Sequence, residues 1–385
     1  MILSIIIYTI TALLLYQISL CFVSRPYGQN TTSNLGIPFY GILFVFGIVV
    51  GARYDVGVDH LAYLFSYENC NTVGIRDDME AGFAVVTKWM YNCGFHYFFY
   101  FALWGILQIG FIYQALKYNK RLLPYVGLLI MLGPYFLNWM NGIRQTVVAC
   151  FFVLLVSKCV VGRKYILYVI FIFFASKFHN SALLLLPFII LGYYNFDIKN
   201  KWVGIAILIF CTILGSMPFW VQYLSDFQNV LELMGYGERY GNRFEEMLGG
   251  EDFSTFAWGP MRTSDYIIDL LILWFYPDIR RKNQCDAVLP VFFSLYFIGA
   301  CSYNLFAGTN QIFLRVVMYF TIFKLPMTAY LLCYLKSTNK KTFYFASFVA
   351  FAYIYIVIFK SSLPSAANTL QRCNLYKFFF FERLN

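Results

Sequence analysis

The sequence predicts an all-α, polytopic integral membrane protein of about twelve transmembrane helices, and three observations predict it. Hydrophobic residues make up 60% of the 385-residue chain and charged residues only 12%, against roughly 25% charged in a soluble domain. Apolar runs of about 17–25 residues recur along the whole chain, each long enough to cross roughly 30 Å of hydrocarbon. The 29 Lys and Arg residues fall mostly in short loops between those runs, as topology determinants do. Aromatic residues reach 21%, and many of their rings are expected at the interfaces or facing lipid.

Spans are expected at about 2–23, 36–52, 95–116, 122–139, 143–157, 164–176, 180–194, 202–219, 264–277, 287–303, 312–335 and 342–360. The first is not expected to be a secretory signal, because it lacks a charged n-region and a small-residue cleavage site. The stretch Lys177-Phe178-His179-Asn180 decides the parity of everything after it. A single bent helix over 164–194 would give eleven spans instead.

The positive-inside rule favours twelve. One side then holds Arg25, Lys117, Lys120, Arg121, Lys158, Arg163, Lys164, Lys199, Lys201, Arg280, Arg281, Lys282, Lys336, Lys340 and Lys341. Both termini lie outside, with two longer external loops at about 53–94 and 220–263. With Asp265 and Asp269, those loops hold 15 of the 19 acidic residues, so binding or chemistry is expected on that face. The stretch 80–92 is expected to be a short amphipathic helix lying on the outer surface. The chain reads as one transmembrane domain, 1–385, with no inverted repeat of the transporter kind. A net charge of +10 does not point to nucleic acid, because no basic tail or basic strip with interleaved aromatics exists.

Intramembrane charge marks the first candidates. An Arg at the bilayer centre costs about 2.5–3.5 kcal/mol on insertion scales and normally faces a cavity. Arg144 opens the fifth span in NWMNGIRQTVVA, and Arg315 opens the eleventh in NQIFLRVVMYF. Each could be a snorkelling anchor, but Asn138, Asn141, Gln145, Asn310 and Gln311 flank them and suggest a hydrated pocket. Lys324, deeper in the eleventh span beside Pro326, reads as a residue at a kink. The segment RYDVGVDHLAY packs Arg53, Asp55 and Asp59 into seven residues, either as an ion pair or as a polar floor for sugar hydroxyls. Glu80 heads the amphipathic stretch, where a helix N-terminus favours its charge; capping is the bland alternative.

His179 sits where one apolar run stops and another starts, beside Asn180 and Ser181. It reads as a general base or as a structural His. In the second loop, Tyr236, Arg239, Tyr240 and Arg243 form GYGERYGNRF, a pattern that suits a phosphate or a sugar face. Three histidines and ten unpatterned cysteines provide no metal site, and no nucleotide fingerprint is present. No metal and no cofactor is therefore expected. Cys70 and Cys93 share the first loop and could pair if that side is oxidising.

In this order, RYDVGVDHLAY, EAGF at 80–83, NGIRQ at 141–145, FHNSA at 178–182 and the segment Arg315–Tyr319 resemble the EpsG-like branch of the Wzy-type polysaccharide polymerases. The resemblance covers roughly 50–320 and rests on the ordered set, since each block alone is short. One departure is Val58, where the family pattern has a small residue or Thr. The resemblance implies an enzyme of the bacterial cytoplasmic membrane, with its active site facing outside. Such an enzyme joins repeat units carried on undecaprenyl diphosphate. Arg144 and Arg315 would then stabilise the departing diphosphate, and His179, Asp59 or Glu80 would take the acceptor proton. Arg53, Asp55, Gln145, Arg239, Tyr240 and Arg243 would complete the substrate site. A chain-length regulator and a flippase are the implied protein partners. A ligase for the same lipid-linked glycan shares almost every feature. A flippase would need cations deep along a two-sided cavity.

Overall fold

The protein is described by a computed structural model covering residues 2–23, 35–72, 79–194, 197–198, 200–217, 258–306, 311–361 and 375–382. Its described residues are helical throughout, with no strand beyond one isolated bridge between Arg53 and Phe378. Helix is the expected outcome of apolar runs in lipid, where each backbone N–H and C=O must be satisfied within its own segment. Among the described residues, six helices are long and apolar enough to cross a membrane: Ile2–Val23, Tyr97–Ala115, Ile143–Val160, Val288–Leu305, Leu314–Thr338 and Lys340–Phe359.

A helix stands at each of the twelve expected places, but length and composition support six crossings. Ile37–Gly51, Tyr165–Ser176, Asn180–Gly192 and Lys201–Gly215 are apolar but shorter. At about 1.5 Å rise per residue, a 12-residue α-helix such as Tyr165–Ser176 reaches about 18 Å, short of the hydrocarbon thickness. The expected span 122–139 is interrupted at Gly133–Pro134, giving Leu123–Leu132 and Tyr135–Met140. The expected span 264–277 lies inside a longer, more polar helix, Pro260–Lys282.

The chain reverses at 177–179. Tyr165, at the start of one helix, stacks on Tyr193, just past the end of the next, with ring centroids 4.8 Å apart. Tyr168 donates its hydroxyl hydrogen to the Leu185 carbonyl at 2.6 Å. These contacts make Tyr165–Ser176 and Asn180–Gly192 two antiparallel elements, which excludes one bent helix over 164–194. The second element is a 3-10 helix of 13 residues with Pro187 inside it. The eleventh span is also broken, at Ile322–Phe323, just before Lys324 and Pro326.

The stretch after Glu80 is the expected amphipathic helix, Ala81–Asn92, which buries Phe83, Thr87 and Met90. Phe83 stacks on Trp104 at 4.6 Å and Thr87 Oγ1 lies 3.2 Å from Tyr100 Oη, so this helix is clamped to Tyr97–Ala115. Helix Ile143–Leu155 is tied to the same helix by Gln108, whose Nε2 donates to Thr146 Oγ1 at 2.8 Å. Cys70 is buried and Cys93 exposed, and both are free thiols, not the disulfide that the sequence left open.

Candidate active site

Four sequence blocks, far apart in the chain, meet at one end of the bundle. Glu80 is their centre. Its Oε2 lies 2.5 Å from Arg144 Nη1, and its Oε1 lies 2.9 Å from His179 Nδ1. The backbone N–H of Asn180 also donates to Oε1, at 3.3 Å. Glu80 occupies the N-cap position of its helix but makes no side-chain cap. Its carboxylate is turned away from its own helix to serve the Arg144 guanidinium and the His179 imidazole.

The backbone brings these groups together closely. Gly82 donates its N–H to the Lys177 carbonyl at 2.8 Å, joining the start of Ala81–Asn92 to the chain reversal before His179. A Cβ at Gly82 would stand 2.8 Å from that same carbonyl oxygen, so the approach needs glycine. On the other side, Asp59 Oδ2 accepts the N–H of Gly142 at 3.0 Å, and Asn141 Oδ1 accepts the N–H of Val58 at 2.7 Å. Gly142 is left-handed, with φ 55°, and starts the helix that carries Arg144. RYDVGVDHLAY and NGIRQ are thus laced together, and Tyr63, the last residue of the former, hydrogen-bonds Arg144.

Burial alone would raise the Glu80 pKa. The hydrogen bond from His179 and the charges of Arg144 and His179 outweigh it and hold the carboxyl at about 2. Glu80 is therefore ionised at neutral pH and can only accept. His179 must then carry its proton on Nδ1, which leaves Nε2 as the reactive nitrogen. The His179 side chain is 25% exposed and that of Arg144 17%, against 6% for Glu80, so both partners reach the surface over a buried anion.

The other expected site residues have distinct places. Arg53 is wholly buried, donates to the carbonyls of Val56 (2.7 Å) and Met140 (3.2 Å), and lies 5.1 Å over the Phe101 ring. It is walled off from any sugar and braces the segment that precedes Arg144. Asp55 has φ 51° and faces Lys377 at 3.8 Å. Gln145 is buried and donates its Nε2–H to the Arg315 carbonyl. That bond ties the Arg144 helix to Gln311–Thr321 and leaves the exposed Arg315 side chain at the same end of the bundle. Ser181 Oγ lies 2.8 Å from Tyr319 Oη and joins the His179 segment to that helix as well.

Arg239, Tyr240 and Arg243 lie outside the described residues, as does Asn310. Of the other histidines, His60 is buried against Phe101, and its burial together with the Arg53 charge pushes its pKa down to about 2. His96 caps Tyr97–Ala115 by accepting the N–H of Phe98.

Two things escaped the sequence reading. Tyr63 closes an already noted block, and only the fold brings it to Arg144. Lys324 is not a mere kink residue: its Nζ lies 2.8 Å from Asp265 Oδ1 and 2.9 Å from Asp269 Oδ1. The visible signal was opposite charge in two apolar spans, with the acids one helical turn apart.

No curated protein and no solved structure shows a significant match to the chain. The EpsG family model matches residues 37–378, which include every block that meets at Glu80. The chain is a helical membrane protein that belongs to the EpsG family, a family associated with Wzy-type polysaccharide polymerases.

Proposed function

We propose that the protein is a bacterial surface-polysaccharide polymerase. It transfers a growing glycan from a polyprenyl diphosphate, undecaprenyl diphosphate by family resemblance, to a hydroxyl of one lipid-linked repeat unit on the outer face of the cytoplasmic membrane. The observation that carries this reading is the convergence of EAGF, NGIRQ and FHNSA on Glu80, which sets a cation and an oriented imidazole side by side.

Glycosyl transfer from a lipid diphosphate needs no nucleotide, because the donor bond is already activated. It needs charge stabilisation at the departing diphosphate and a base for the acceptor hydroxyl. Arg144 and the exposed Arg315 supply planar, permanently charged forks for the former. His179 Nε2 supplies the base. Glu80 fixes the imidazole tautomer and stabilises the imidazolium as the proton arrives, the role a carboxylate plays behind a catalytic histidine in hydrolases. Glu80 itself is too weak a base, and Asp59 is spent on the Gly142 N–H. The new glycosidic bond forms as the sugar–phosphate bond breaks; the acceptor proton passes to His179 and the diphosphate leaves on its lipid.

Glycan from cells lacking the protein tests the reading. Single repeat units on the final carrier are the expected result. Loss of all surface glycan, with lipid-linked units trapped inside, would instead make the protein a flippase. Unchanged polymer length with loss of attachment to its final acceptor would make it a ligase.

A further inference from the structure

A cavity of about 1070 Å³ lies beside the Glu80 cluster, on the opposite face of Ile143–Leu155. Thr146 lines it, and stands about 200° round the helix from Arg144. Two interrupted spans border it: the break at Gly133–Pro134 contributes Pro134 and Tyr135, and the break at Ile322–Phe323 contributes Ile322 and Lys324. Irregular backbone at membrane depth is tolerated where it is buried in protein or lines a cavity. Met318, which lines the same cavity, stands one turn after Arg315 on its helix.

The lining is chemically unlike the Glu80 cluster. Its charges are Arg262, Lys324, Asp265 and Asp269, which sum to zero. Lys324 clamps both acids, and Tyr296 donates its hydroxyl hydrogen to Asp269 at 2.9 Å. Asp269 is buried, whereas the Asp265 side chain is 37% exposed and lines the cavity. Aromatic rings of Tyr135, Trp139 and Tyr303 share the wall. A net-neutral lining gives a diphosphate no advantage. Carboxylate acceptors beside aromatic faces suit a sugar, which offers hydroxyl donors on its rim and C–H bonds on its faces. The volume stands at the top of the roughly 300–1,000 Å³ range of small-molecule sites and has room for several sugar rings.

We propose that this cavity is a saccharide chamber, holding the sugars of a lipid-linked glycan while the diphosphate lies at Arg144 and Arg315. Asp265 accepts sugar hydroxyls, and Lys324 with Asp269 are its positioning pair. The proposal rests on the polymerase reading for its choice of ligand. It assigns a separate site to the uncharged part of the substrate.

The test uses the full chain in lipid nanodiscs. The probe is phosphate-free oligosaccharide released from the surface polymer of the cells that make the protein, with binding followed by calorimetry. Wild type binds it. Asp265→Asn weakens binding at least tenfold, and Asn138→Trp, which fills the cavity from an exposed wall position, does the same without touching the ion cluster. Arg144→Ala leaves binding of this phosphate-free probe within twofold while lowering polymer formation from lipid-linked units about 10²–10³-fold. If Asp265→Asn is not monodisperse, Asn138→Trp decides alone. Absence of wild-type binding, or wild-type affinity in the decisive variant, overturns the chamber even if the protein polymerises. Oligosaccharide binding in a protein that fails to polymerise would overturn the enzymatic reading and leave the chamber standing.

Discussion

Glu80 Oε1 and His179 Nδ1 lie 2.9 Å apart, and this contact decides which imidazole nitrogen is available to a substrate. With Glu80 ionised, Nδ1 is the donor and Nε2 is left to accept a proton. His179→Gln keeps a hydrogen-bonding side chain but cannot accept a proton at neutral pH. Turnover of purified protein on lipid-linked repeat units is expected to fall about 10²–10⁴-fold, with binding of the donor lipid retained. Near-normal turnover in His179→Gln, together with an inactive Asp59→Asn, would move the base to the carboxylate.

Arg144 and Arg315 differ in setting, and their variants are expected to differ too. Arg144 is held by Glu80 and Tyr63, so Arg144→Ala removes a charge at the site and leaves Glu80 with the His179 imidazole as a partner. Arg315 is exposed, so Arg315→Ala is expected to leave the fold intact. Each is expected to lower polymer formation by about 10²–10³-fold, the usual effect of losing one donor to a developing charge. Arg→Lys at either place should recover only part of that, because the planar fork is lost. Full-length polymer from Arg315→Ala, at normal membrane levels, would reduce Arg315 to an interfacial anchor.

The Glu80 shift makes a statement about stability against pH. A carboxyl lowered from 4.5 to about 2 on folding stabilises the folded state fully above 4.5 and loses that contribution as pH falls towards 2. Thermal unfolding in detergent should therefore show wild type losing stability from pH 5 to pH 2.5 faster than Glu80→Gln. At pH 7 the variant should be the less stable of the two. Parallel curves for the two proteins would show that the carboxylate is not held low.

Much of this site was legible in the sequence. NGIRQ and FHNSA stood out because each places a polar or charged residue where an apolar run breaks, and lipid makes such breaks costly without a partner, while EAGF stood out as the charged head of an amphipathic stretch. What the sequence could not give was pairing. Glu80 read as a charge favoured at a helix N-terminus, with capping as the bland alternative, because N-terminal position is a local property, while its bonds to Arg144 and His179 depend on contacts 64 and 99 residues away. Arg53 read as an ion-pair partner or part of a polar floor because charge near a membrane usually seeks water, yet here it is buried, with the Val56 and Met140 carbonyls accepting from its Nη1. The number of crossings was the least legible feature. Apolar runs announce themselves whether or not their helices are interrupted, as at Gly133–Pro134, or are 3-10, as at Asn180–Gly192.

Gly82 offers a test of positioning that leaves every polar side chain in place. A side chain there collides with backbone at Lys177, which cannot move aside as a flexible side chain can. Gly82→Val should therefore push the start of Ala81–Asn92 away from the chain reversal and lengthen the Glu80–His179 contact. Polymer formation should fall at least tenfold. Because Phe83 and Thr87 still clamp the helix to Trp104 and Tyr100, the protein should remain folded and monodisperse. Wild-type activity in Gly82→Val would mean that the close approach of the two segments is not needed.

The basic loops predict the side of the membrane on which Glu80 lies, and that expectation can be tested directly. Reporter fusions at 118–121, 160–163 and 338–341 should read cytoplasmic, and fusions at 70 and 248 external. The antiparallel pair Tyr165–Ser176 and Asn180–Gly192 adds a further expectation. Tyr165 and Tyr193 stack, so a fusion at 197–200 should read on the same side as one at 160–163. The chain reversal carrying His179 would then face outward, together with residue 70 in the loop that precedes Glu80. A cytoplasmic signal at 70 would put the Glu80 cluster on the inner face. It would then be out of reach of lipid-linked units presented outside, and the polymerase reading would fail on topology alone, whatever the variants at His179 and Arg144 showed.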